Sequence, residues 1–169
     1  FPQQLVSLAE NLTADASNPY DKAIAIQSHL KTFPYDQKIP PPPFNADGVE
    51  YFLFTAKRGY SDYFGSAMAT LLRAVGVPTR LVVGHAPGNL DKVTGAYVIR
   101  DRDSHGWPEV YFPSIGWVEF EPTPGFNIPG SEEAFSDQII SDAYEEEEDE
   151  EELSESELLG MSGASAKAN

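Results

Sequence analysis

The chain has 169 residues and a mass of 18.5 kDa, enough to bury the core of one ordinary domain and short for two. Its composition, 41% hydrophobic and 12% aromatic, is globular; no stretch approaches the ~20 apolar residues of a membrane-spanning helix, and the lack of cysteine excludes disulfides, thiolate zinc sites and a cysteine nucleophile. The formal charge of −16 sits mostly in residues 131–169, which hold 14 of the 27 acids against Lys167 alone; residues 1–130 carry a net of −3, and no basic face remains that would bind nucleic acid.

In chain order, Phe1-Pro2 opens into a helical-period run of Leu5, Val6, Leu8, Ala9 and Leu12, with no initiator Met and no signal-peptide pattern, as in a piece of something longer. Asn18-Pro19 supplies an N-cap and a first-turn proline for a second helix, with Ala23, Ile24, Ile26 and Leu30 along one face to about Thr32. The run Pro40–Pro43 predicts an extended connector, after which Asp47 caps a short helix carrying Val49, Phe52, Leu53 and Phe54, and the chain turns at Gly59. From Ser61, the spacing of Phe64, Ala67, Met68, Leu71, Leu72 and Val75 predicts a helix that stops at Gly76 and Pro78.

Strand-like runs follow at Thr79–Gly84, Ala96–Arg100, His105–Phe112 and Gly116–Glu121, separated by turn-forming breaks. Helices first and antiparallel strands after give an α+β class. Beyond Ser131 the run Glu145–Glu152 repels itself and lacks a core, which predicts a disordered acidic linker or tail over 131–169, in preference to a solvated helix, after a domain spanning 1–130.

Three polar residues stand where nucleophilic chemistry would use them: Ser61 at a helix start, His105 opening a strand and Glu121 closing the next. A helix N-terminus offers a positive dipole end and free amides for an oxyanion, a histidine can take the nucleophile's proton, and a carboxylate can orient the imidazole. Each also has a plain alternative: Ser61 as a helix cap, His105 as a turn residue, Glu121 as a solvated strand end. Trp107 and Trp117 read as core aromatics.

The segment Gly59-Tyr60-Ser61-Asp62-Tyr63-Phe64-Gly65-Ser66-Ala67, continuing as LLRAVGVPTRLVVGHAPG over 71–88, resembles the transglutaminase-like core domain, especially the version carried by large bacterial membrane proteins. SHGWPEVYFPSIGWVEFEPTPG at 104–125 is similar to the same family's block around its histidine and acid; with YDKAIAIQSHL and DGVEYFLF upstream, the resemblance covers about residues 1–126. It implies a papain-like α+β fold, a nucleophile-His-acid triad at Ser61, His105 and Glu121, and acyl transfer or hydrolysis on protein or peptide amides. It also implies an extracytoplasmic domain of a membrane-anchored bacterial protein.

Ser61 stands where that family carries cysteine, and Glu121 where it carries aspartate. Thiolate is a resting nucleophile that serine lacks, so the resemblance implies an impaired or inactive enzyme, or a module that binds polypeptide without turning it over. A natural divergence, a Cys-to-Ser substitution and a working serine enzyme all fit; the further departures at Glu121 and Gly65 favour the first. No cofactor is called for, and His29, His85 and His105 lack metal-ligand spacing.

Overall fold

The computed structural model describes residues 1–128; the expected boundary near 131 and the acidic segment beyond it lie outside the described residues. The first helix, α1 (Gln3–Leu12), buries Leu5 and Ala9, and α2 (Pro19–Leu30) buries Ala23, Ile26 and Leu30. Asn18 caps α2 as its residue type dictates, its side chain accepting from the Asp21 amide at 3.0 Å, with Pro19 in the first turn.

Asp47 likewise caps α3 (Gly48–Glu50), accepting from the amides of Val49 and Glu50. The short helix then widens into a π-helical turn, Tyr51–Ala56, closed by Lys57 in the left-handed region (φ 50°), whose amide reaches back to the Phe52 carbonyl at 2.9 Å. Widening the turn brings both Phe52 and Leu53 into the core, where the Phe52 ring meets Phe64 edge-on at 4.9 Å. Gly59, where a turn is expected, also makes a long-range pairing. It pairs in parallel with Tyr35, and its amide and carbonyl bond Pro34 and Asp36.

Helix α4 (Ser61–Ala74) is the centre of the molecule, with Phe64, Ala67, Met68, Leu71 and Leu72 all fully buried between α1, α2 and the sheet. Its apolar residues recur at helical spacing right round the inner face, which is why one helix can be packed from several sides. Gly76, at φ +77°, ends it.

Strands β1 (Thr79–His85), β4 (Ser104–Phe112) and β5 (Gly116–Glu119) form an antiparallel sheet in the order β1-β4-β5, with Gly84 opposite His105 and Val110 opposite Val118. The class is therefore α+β, with the nucleophile-position helix packed on an antiparallel sheet. Between β1 and β4 runs an excursion bearing a small hairpin, β2 (Asn89–Leu90) and β3 (Tyr97–Val98). Its turn is tied by Asp91, whose carboxylate accepts from the amides of Thr94 and Val93, which holds it below the usual carboxylate range. The five-residue strand expected at Ala96–Arg100 shrinks to two residues because only Asn89–Leu90 is there to pair with it.

Trp117 is not a core residue: it is 42% exposed, with the Arg80 guanidinium 4.3 Å above its ring and Arg80 in turn bonded to Glu109 across the strands. Trp107 is buried, beside His105. Among the described residues no helix is long and apolar enough to cross a membrane.

Candidate active site

Ser61 is the first residue of α4 and is 6% exposed. It is not the cap: Tyr60 holds that position, and no side chain caps the helix. The Tyr63 and Phe64 amides close on the Tyr60 carbonyl, so the Ser61 and Asp62 amides ahead of them have no intrahelical partner and, with the helix dipole, form a site for developing negative charge. This turn is pressed against β4. A Cβ built on Gly106 would stand 3.1 Å from Asp62 Oδ1, and one on Gly65 would stand 3.2 Å from the Gly106 carbonyl oxygen and 2.8 Å from Leu81. Glycine at 65 and 106 lets helix and strand approach closely, and it sets the neighbours of those contacts, Ser61 and His105, at the same junction.

His105 and Glu121 are both 2% exposed and directly paired, with Nε2 of the imidazole 2.5 Å from Glu121 Oε2. The carboxylate accepts from Nε2–H, and this tautomer puts the lone pair on Nδ1. Nδ1 is buried and has no hydrogen-bond partner among the described residues. A buried imidazole nitrogen without a partner costs stability unless something else uses it, and the Nδ1 lone pair is available to accept a proton.

Glu121 is held from two further directions. Its Oε1 accepts from the Thr123 amide at 2.8 Å, and its own amide donates to Gln27 Oε1 on α2 at 3.1 Å. The imidazole is held by its faces: the Phe126 ring lies parallel to it at 4.5 Å and 7°, Trp107 is near-parallel at 6.1 Å on a neighbouring strand position, and Tyr35 backs Phe126 at 5.4 Å. With Oε2 fixing one edge and aromatic rings fixing the plane, the ring cannot rotate freely, which is the preorganisation a general base needs.

Gln27, Thr123, Phe126 and Tyr35 were not foreseen as part of the site. One of them left a signal. Gln27 falls at the spacing of Ala23 and Leu30 on the apolar face of α2, and a polar side chain there must meet a buried partner. Replacing Gln27 by Leu leaves the Glu121 amide without its acceptor, so Gln27→Leu is expected to cost about 1–2 kcal/mol in chemical denaturation. An unchanged midpoint would mean that water takes over the bond.

The transglutaminase-like superfamily model matches residues 6–122, a span that contains Ser61, His105 and Glu121. An uncharacterized protein of Bacillus subtilis (strain 168), YebA, is 40% identical over 136 residues, 76% of this chain and 18% of that protein. A protein-glutamine gamma-glutamyltransferase of Pseudomonas aeruginosa is 32% identical over 117 residues, 69% of this chain and again 18% of the relative. The chain thus spans less than a fifth of the curated relatives it matches. The crystal structure of the periplasmic domain of TgpA from Pseudomonas aeruginosa superposes with a TM-score of 0.63 at 30% identity, over 72% of this chain and 45% of that one. A family pattern matched over most of the described residues, with a solved relative superposing on 72% of the chain, is conclusive: the chain belongs to the transglutaminase-like superfamily.

Proposed function

We propose that residues 1–130 form an amide-directed acyl-transfer or hydrolysis unit in which Ser61 is the nucleophile, His105 the base and Glu121 the orienting acid, slowed severely by serine at the first position. The observation that carries this is the buried His105–Glu121 pair, with Nδ1 left unpartnered at the junction where α4 begins. The Ser61 amide would give one oxyanion donor. The named activity of the Pseudomonas aeruginosa gamma-glutamyltransferase supports protein-bound glutamine as the acyl donor, and the periplasmic placement of TgpA supports an extracytoplasmic setting in a longer, membrane-anchored protein. Residues 131–169 would then be an acidic spacer between this unit and the rest of that protein.

A second reading rests on Ser61 itself: the same groove holds a polypeptide and does not turn it over. One experiment separates the two without a substrate. Ser61→Cys would install the chain's single thiol, to be alkylated with iodoacetamide at about pH 6, where an ordinary thiol of pKa ~8.5 is well under 1% thiolate. A thiol made mostly thiolate by His105 and the helix dipole gains roughly two powers of ten in reactive fraction and gives back about one through lower intrinsic nucleophilicity, so the net acceleration is on the order of tenfold. Adding His105→Ala should abolish it. Alkylation at the rate of a free thiol, with no response to His105, would establish the binding module instead.

A further inference from the structure

Beside the triad lies a cavity of about 320 Å³ whose walls include Arg102, Asp103, Ser104, Tyr35, Ala86 and Phe126. It shares Phe126 with the imidazole stack and Ser104 with the strand that carries His105, so whatever occupies it lies against the residues flanking the base. We infer that this cavity takes a glutamate or aspartate side chain of the bound polypeptide, its carboxylate on Arg102 and its methylenes along Phe126 and Ala86. The assignment of a substrate polypeptide rests on the function proposed above; the assignment of the charge rests on the cavity.

The positive charge there is poorly neutralised. Arg102 is 60% exposed, and the carboxylate paired with it is that of its neighbour Asp103, with Nε 4.0 Å from Oδ1, at the outer limit of an ion pair. Asp103 is otherwise committed. Its Oδ2 accepts from the Arg100 amide at 2.5 Å, its amide bonds the Arg100 carbonyl, and its carbonyl accepts from the Ala86 amide. Those bonds lock the 3₁₀ turn Asp101–Asp103 and fix the backbone from which Arg102 projects, so little order has to be created when an anion binds.

Two hydroxyl-bearing residues, Tyr35 and Ser104, also line the cavity. Tyr35 Oη accepts from Gln37 Nε2 at 2.8 Å, which leaves its proton to be donated elsewhere, and the exposed Ser104 hydroxyl adds a second donor. A guanidinium with two hydroxyl donors matches a single carboxylate, a charge-assisted set worth more than neutral hydrogen bonds. Asp103, itself in the wall, opposes any anion, and it opposes a doubly charged phosphate more strongly than a singly charged carboxylate. The apolar side of the cavity, Phe126 and Ala86, suits the short stem of an acidic residue.

The test uses the full chain with Ser61 in place and reads binding, not turnover. A short blocked peptide with glutamates around a central glutamine is titrated against its twin in which those glutamates are glutamines, following amide shifts by NMR. The acidic peptide is expected to bind roughly tenfold more tightly, to shift Ser104, Phe126 and the Arg102 side-chain N–H, and to lose its advantage in Arg102→Gln. Arg102 is exposed, so the substitution should leave the fold intact; unchanged amide shifts away from the cavity verify it. Should Arg102→Gln alone move the amides of Glu145–Glu152 before peptide is added, the carboxylate comes from the chain's own acidic run and the assignment to a bound polypeptide is overturned. Equal affinity for the twins, an advantage that survives Arg102→Gln, or displacement by inorganic phosphate at the same concentration would each overturn it. The alkylation of Ser61→Cys is independent of all of these, so the cavity and the triad can fail separately.

Discussion

Ser61→Cys is expected to raise turnover of a glutamine-bearing protein, measured as ammonia released in the presence of a primary amine, by on the order of 10⁴, the size of loss seen when a triad member is removed. The helix dipole and the free amides at the start of α4 stabilise an anion at residue 61. For sulfur that anion exists before the substrate arrives, held beside an imidazolium. For oxygen the proton must leave during attack, and every increment of misalignment between Oγ and Nδ1 raises that barrier. A site packed as closely as the Gly65–Gly106 contact indicates has little room to shift by the difference between C–S and C–O bonds. If Ser61→Cys brings no gain while the protein folds normally, the proposed action on glutamine amides is overturned, and the binding reading is the one left to test.

Glu121→Ala, made in the Ser61→Cys background, should remove about as much rate, roughly 10³–10⁴, and destabilise the fold by about 3 kcal/mol. Both effects come from one group. The buried carboxylate gives Oε2 to His105 and Oε1 to the Thr123 amide, so its deletion orphans two buried donors and frees the imidazole proposed as the base. Glu121→Gln separates the two losses. Its one carbonyl oxygen can serve His105 or Thr123 but not both, since the amide nitrogen can only donate. Its stability, followed by thermal denaturation, should fall between wild type and Glu121→Ala. Full stability with full rate in Glu121→Ala would remove the acid from the mechanism.

Much of this was legible from residue order. Asn18-Pro19 and Asp47 are caps wherever the chain places them, because a cap bonds an amide two or three residues away. The helix from Ser61 follows from a periodicity of 3.6, the strand expected over His105–Phe112 from a strand-like run between turn-forming breaks, and the two motif blocks carry Ser61, His105 and Glu121. These are local patterns, fixed by the geometry of a single element.

What escaped the sequence depends on contacts between distant segments. The pairing of Gly59 with Tyr35 is absent from its turn-like sequence; Trp117 looked buried and lies under Arg80 with its side chain part exposed; the strand expected over Ala96–Arg100 found only two residues to pair with. Gln27 reaches Glu121 across 94 residues, and Phe126 reaches His105 across 21. Such partners are chosen by how α2, α4 and the sheet pack, and a residue's own neighbours carry almost no information about that choice. The sequence by itself determined the α+β order, the caps and the three candidate residues. Only the tertiary structure decided which imidazole nitrogen stays unpartnered, what holds the acid, and that a cavity edged by Arg102 opens beside the base, because close packing brings together groups that no short-range rule connects.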